Sequence, residues 1–430
     1  MTVAIPLLLL VLFLAFGMPI AFALGVSGAI GLLMFSGIDS FLGILQTTPY
    51  DSVKSFLMSA IPMFILMAAF MTVSGIMKDL FNAAYKWLGR LPGGLGIATV
   101  FAGAMMGAVS GSSQASAAAM AKAAAPEMRK YNYSTAFTMG VISMSGTLAV
   151  MIPPSIILIL YGILTETGVG SLLIAGIVPG ILTALGYIIV IFVWVSMKPE
   201  IAPKIEVVPT LREKFASLKN IWPMLLIIIA VIGGIYSGFV TATEAGALGA
   251  FITFLVVLLM GRLSMKKMGV ALNDTIKSTT MIMTIIIGAH IFSYFLTITQ
   301  VTQKLVVFVE GLDVSRYWIL AFIIILYLIL GFFMDQIAIL ILTLPLTFPI
   351  IVSLGFDPIW FGIIVTKTVE IGLVTPPVGM NVFVATGAAG VKTAEGFKGV
   401  TWFVLTDLLI LLVLILMPFL TLWLPEMMMD

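Results

Sequence analysis

Runs of about 20 mostly apolar residues, the length that spans a bilayer, recur along the whole chain, near 3–17, 18–36, 56–76, 133–164, 168–197, 221–240, 243–260, 278–299, 358–389 and 401–424. Two further apolar stretches, 95–128 and 317–352, are interrupted midway by small or polar residues, SGSSQAS at 110–116 and MDQ at 334–336. The interruptions predict helical hairpins that turn back inside the membrane, although two short crossings would give a similar pattern. Lys and Arg, which collect in short cytoplasmic loops, separate these readings. Lys78, Lys86 and Arg90 precede the first interrupted stretch and Arg129 and Lys130 follow it, so both its ends face one side. Threading ten crossings places sixteen loop cations inside and leaves only Lys54, Lys304 and Arg316 outside. Both chain ends then face the periplasm, and the second hairpin opens outward.

A polar linker, 198–220, carries Pro199, Pro203 and Pro209 among its charges and divides the chain into halves that can be compared. Pro126 and the pair Pro153-Pro154 are spaced like Pro349 and the pair Pro376-Pro377, with a constant offset of 223 residues between the halves (376 − 153). The hairpin interruptions and the amphipathic stretches 77–92 and 300–315 keep the same offset. Because one hairpin enters from inside and the other from outside, this is an inverted-topology repeat. The expected organisation is N-terminal scaffold helices over 1–55, a first repeat over 56–197, the cytoplasmic linker 198–220, scaffold helices over 221–277 and a second repeat over 278–424. The fold class is an all-α polytopic membrane protein.

Composition agrees with lipid as the solvent. Hydrophobic residues make up 61% of the 430 and charged residues 9%, with a mean hydropathy of +1.22, whereas soluble domains carry about 25% charged residues. Zero cysteines exclude disulfides, thiolate metal sites and cysteine nucleophiles. A net charge of +2 gives no basic stripe for nucleic acid. One histidine, His290, leaves little room for zinc, haem or triad chemistry, and no GxxxxGK[ST] motif encodes an ATP motor.

Broken backbone survives at membrane depth only where it is buried in protein or lines a cavity. MIPPS at 151–155 and VTPPVGMN at 374–381 free carbonyls, since proline lacks an N–H and displaces the carbonyl one turn back. Ser110, Ser112, Ser113 and Ser116 add hydroxyl oxygens beside Gly111. Such a set suits a hard monovalent cation, while a plain kink at each Pro-Pro and close helix packing along 107–119 are the bland alternatives. Intramembrane charges are few. Asp335 is placed to bind a cation or to cap the returning half-helix. Lys367 and Glu370, one turn apart, are expected to pair with each other, with a proton or substrate role as the alternative. Glu244 and Asp407 are expected in solvent near segment ends, and His290 as a neutral, satisfied histidine.

These residues resemble the large membrane subunit of tripartite ATP-independent periplasmic (TRAP) transporters, the DctM-type permease. The resemblance covers nearly the whole chain: FGMPIAFALG at 16–25, IPMFILMAAFM at 61–71, GAVSGSSQASAAAM at 107–120, MIPPSIILILYG at 151–162, GIVPGIL at 176–182, ATEAGALGA at 242–250, GFFMDQIAILILTLP at 331–345 and TPPVGMNVFV at 375–384. It implies an elevator-type, Na⁺-coupled carrier in a bacterial or archaeal inner membrane, with no enzymatic activity. Carried over by position, substrate would meet Ser112, Ser113, Gln114, Ser116, Thr147, Pro154, Ser155, Asp335, Thr375, Pro377 and Asn381. Na⁺ would be held, largely by backbone carbonyls, at Ser110, Gly111, Ser145, Met151, Pro153, Gly331, Met334, Asp335, Val374, Pro376 and Gly379. Two partners are implied, a small four-helix membrane subunit and a periplasmic substrate-binding protein, and the substrate class is organic acids such as C4-dicarboxylates and sialic acids. A self-sufficient divalent-anion/Na⁺ symporter is the alternative. An ion channel would need a continuous pore, and an enzyme would need a nucleophile, base and orienter together.

Overall fold

Left-handed glycines and hydroxyl or carboxylate caps end the helices where the apolar pattern breaks. The computed structural model describes residues 3–204, 209–219 and 221–429 and is all-helical over them. Residues 205–208 and 220 of the linker lie outside the described residues. So do Met1, Thr2 and Asp430, on which the expected siding of the chain ends falls. Among the described residues, seven helices are long and apolar enough to cross a membrane, or nine if each of two bent pairs is one span.

The first interrupted stretch forms helices Gly94–Ser110 and Ser113–Lys130, and the second forms Arg316–Gly331 and Gln336–Ser353. In each, the two arms pack on one another. The Pro-Pro segments break two further helices, Thr135–Met151 from Ile156–Thr165 and Pro358–Val374 from Met380–Ala389, and both Pro-Pro bonds are cis. The halves keep their register. Ser113–Lys130 and Gln336–Ser353 are both 18 residues long and start 223 apart; Thr135–Met151 and Pro358–Val374 are both 17 and share that offset. Their caps correspond as well, Ser112 with Asp335 and Ser134 with Asp357.

Two helices run well beyond their apolar runs, Ile20–Asp51 with 32 residues and Met265–Ile298 with 34. The second extends toward the N-terminus because Ser264 Oγ accepts the Lys267 N–H and starts a charged turn before the membrane segment. At about 1.5 Å per residue it is longer than the hydrocarbon core. The first continues past Gly37, a kink at φ +74°. These two helices pack along each other, and a Cβ on Gly28 would lie 2.6 Å from Phe292 Cα. They share an apolar core with Met58, Ile61 and Ile65 and with Leu160 and Ile341 of the first broken helix and second hairpin, whereas most of the hairpin and broken-helix residues belong to a second, larger one.

The amphipathic helix Ile76–Leu88 joins the first hairpin to its surroundings. Arg262 Nη1 reaches Asp79 Oδ2 at 2.5 Å, and Trp87 Nε1 donates to the Lys214 carbonyl at 3.2 Å while its ring meets Phe215 edge-on. Lys214 and Phe215 sit on linker helix Leu211–Leu218, whose Thr210/Glu213 capping box holds the Glu213 carboxyl below its usual range. The corresponding helix Val301–Glu310 has no buried residues.

Candidate functional site

At the first hairpin tip, Gly111 turns the chain at φ +58°, and a Cβ there would meet Ile156 N at 2.9 Å and the Pro154 carbonyl at 3.1 Å. The tip therefore rests on the first Pro-Pro break, and only glycine combines that turn with that approach. Ser112 then caps the returning arm, its Oγ accepting the Ala115 N–H at 3.4 Å. Ser110 and Ser116 hydroxyls close across the turn at 2.6 Å. At the second tip Asp335 Oδ1 accepts the Ala338 N–H at 3.1 Å. Asp335 thus acts as the cap of the returning half-helix, and both tips present the positive end of a helix.

The two breaks differ in exposure. Pro153, Pro154 and Ser155 are buried, and Ser155 Oγ accepts the Leu158 N–H at 3.2 Å. Pro376 and Pro377 are exposed, with Thr375 half-buried and its hydroxyl donating to the Ile371 carbonyl at 2.6 Å. Gly379, at φ +60°, follows under the Phe397 ring.

A buried polar ring ties these parts together. Gln336 Nε2 donates to Ser113 Oγ at 2.7 Å, so the first residues of the two returning arms, at corresponding positions 223 apart, touch side chain to side chain. Ser113 Oγ donates to Asn381 Oδ1 at 3.3 Å, and Asn381 Nδ2 to Glu370 Oε2 at 3.4 Å. Gln336 Nε2 also donates to Glu370 Oε1. Both tips, the helix before the second break and the helix after it meet here. Gln114 lies beside the ring, its Nε2 4.0 Å from Met380 Sδ.

Lys367 and Glu370 do not pair, contrary to the spacing. Lys367 Nζ lies 2.6 Å from Asp407 Oδ1 and donates to Thr183 Oγ1 at 3.0 Å. Asp407 is not in solvent: helix Thr393–Leu416 starts earlier than its apolar run, so Asp407 falls mid-helix, fully buried. Its other oxygen accepts from Tyr187 at 2.8 Å, and Tyr187 meets Thr147 at 3.0 Å. Thr147 therefore belongs to this ion-pair network. Glu244 is exposed and closes a capping box with Thr241. His290 Nδ1 is 2.8 Å from Ser52 Oγ, beside a cavity of about 190 Å³ lined by Leu344 and Phe348 of the second hairpin, away from the tips.

The remaining candidate ligands divide between the two halves. Ser145 is buried, its hydroxyl donating to the Ile142 carbonyl at 2.8 Å, and Met151 is buried under the first break. Gly331 crosses the second broken helix so closely that a Cβ would lie 2.9 Å from Gly372 Cα. Met334 is half-buried and Val374 buried. Sequence reasoning placed Gln336 at the second tip without a partner, and overlooked Glu370 as a partner of the tips, and Tyr187. The signal for Gln336 was present, since the offset that aligns the halves places it on Ser113.

A protein of this build has relatives that share its length. The family model described as "Tripartite ATP-independent periplasmic transporter, DctM component" matches residues 7–420. The chain belongs to the DctM family of TRAP transporters. It is 38% identical over 408 residues to the C4-dicarboxylate TRAP transporter large permease protein DctM of Pseudomonas aeruginosa, covering 94% of each chain. It is 33% identical over 411 residues to the isethionate TRAP transporter permease protein DctMQ of Oleidesulfovibrio alaskensis, covering 95% of this chain and 64% of that longer one. The crystal structure of the YdaH transporter of Alcanivorax borkumensis superposes with a TM-score of 0.68 at 15% identity, over 97% of this chain and 98% of that one. At that identity the likeness concerns the fold. This DctM-family permease is thus a multi-span membrane protein.

Proposed function

We propose that this permease takes up an organic acid, a carboxylate of the C4-dicarboxylate or sialic acid kind, coupled to Na⁺. The observation that carries the reading is the Ser113–Gln336 contact, which brings two helix N-termini side by side next to the exposed second break. Helix N-termini favour anionic groups, and freed carbonyls at broken helices suit Na⁺. Na⁺ is cargo here, and the oxygens available to it are the hydroxyls of the first tip and the backbone carbonyls of both breaks. Hairpins and broken helices would slide as one unit against scaffold helices such as Ile20–Asp51, with the inverted halves exchanging conformations. The first break is buried and the second exposed, which is the asymmetry expected of one end state.

The DctM relatives support an inner-membrane location; to this we add both chain ends on the periplasmic side, from the loop charges, and two partners, a small four-helix membrane subunit and a periplasmic binding protein that delivers substrate. In the DctMQ relative the match covers 64% of the chain, and the remainder leaves room for a second subunit in the same chain. The test is uptake by liposomes containing the permease with its small subunit, with binding protein added or omitted. Uptake should need both Na⁺ and the binding protein. Unchanged uptake with choline in place of Na⁺ at fixed pH would end the coupling claim, and full uptake without binding protein would favour a self-sufficient symporter.

A further inference from the structure

Three charged side chains are buried among the described residues: Lys367, Glu370 and Asp407. Lys367 and Asp407 neutralise each other at 2.6 Å. Among the described residues Glu370 has no cation within ion-pair distance and is held by amide N–H groups of Gln336 and Asn381. Glu370 is therefore the one buried acid among the described residues with no cation paired to it, and it stands where both hairpin tips meet the second break.

We propose that Glu370 is a positioning residue whose charge sets the affinity of the coupling cation, and this rests on the Na⁺-coupled reading above. Once ionised, a carboxylate removed from water and held by neutral donors is electrostatically unbalanced, so its charge and the arrival of a cation favour each other. In a medium of low dielectric its field reaches several ångströms, far enough to act on the hydroxyls and carbonyls around Ser113 and Gly379. The amides turn their N–H groups toward Glu370, so it acts through them and not as a direct ligand. Gln336 and Asn381 pass the same charge to both arms, because each is also bonded to Ser113. The charge also opposes an anionic substrate until a cation has arrived, which imposes the order cation first, substrate second.

The test measures ²²Na⁺ binding to the purified permease with its small subunit, alongside uptake at varied Na⁺. Glu370→Gln should raise the half-saturating Na⁺ concentration at least tenfold and make the substrate KM less dependent on Na⁺. Glu370→Gln/Asn381→Asp, which returns the charge one contact away, should recover a large part of that loss. Lys367→Met/Asp407→Leu, which removes a neutral pair, should leave Na⁺ affinity within threefold of the parent. Parent-like ²²Na⁺ affinity in Glu370→Gln would overturn the inference, as would a double variant that folds but binds no better than the single one. If the parent itself binds no ²²Na⁺ and transports in choline, the Na⁺-coupled reading fails and takes this inference with it.

Discussion

Lys367 sits three residues before Glu370 on one helix face, a spacing that favours a local ion pair, yet its ammonium turns to Asp407 on another helix. Removing one partner of a buried pair leaves the other charge uncompensated, at about 3–5 kcal/mol, whereas replacing both by apolar groups of similar volume is often neutral. Lys367→Met should therefore lower thermal stability in detergent sharply, and Lys367→Met/Asp407→Leu should recover most of it. A double variant no more stable than the single one would show that the pair is not coupled. At the second tip, Asp335→Asn keeps a good N-cap and removes only the charge, so it should weaken Na⁺ dependence while stability stays near the parent's; Asp335→Ala should lose about 1 kcal/mol with the cap. Equal Na⁺ affinity in Asp335→Asn and the parent would remove that carboxylate from the ion's surroundings. The Asp335 cap was legible from the sequence because capping is local, and the same local rule fits Ser112, which reads from the sequence only as an oxygen ligand. The partners of Lys367 and Glu370 were not, because helix Thr393–Leu416 and the hairpin tips supply them from far along the chain.

Where helices cross, small residues set how close backbones come. A Cβ on Gly399 would lie 1.9 Å from the Ala136 carbonyl, whereas one on Gly387 would meet nothing within 4 Å. Gly399→Val should force helix Thr393–Leu416 off the first broken helix and cost enough stability to reduce folded yield on size exclusion. Gly387→Ala should be neutral or stabilising by up to about 1 kcal/mol. Folded yield at parent level for Gly399→Val would show that this crossing tolerates separation. At this scale the breaks were readable, since Gly111, Asp335 and the two Pro-Pro pairs all end helices where the pattern placed them. The lengths of Ile20–Asp51 and Met265–Ile298 were not, because their extensions are held by a cap and by contacts beyond the apolar run.

For the whole molecule, the central claim is that hairpins and broken helices move as one body against the helices around Ile20–Asp51 and Met265–Ile298. Ala289 of the latter and Leu344 of the second hairpin both line the cavity beside His290, so a link between them joins the two bodies. Arg129 of the first hairpin donates to the Ala389 carbonyl at 3.5 Å, after the second break, so a link there stays within one body. The chain has no native cysteine, which leaves a clean background for paired substitutions and a short bifunctional thiol reagent. The decisive measurement is uptake by liposomes after quantitative cross-linking of Ala289→Cys/Leu344→Cys, with Arg129→Cys/Ala389→Cys as control. The account predicts that the first link abolishes uptake and the second is tolerated; uptake retained with the first pair fully linked would contradict it and leave local opening at the hairpin tips.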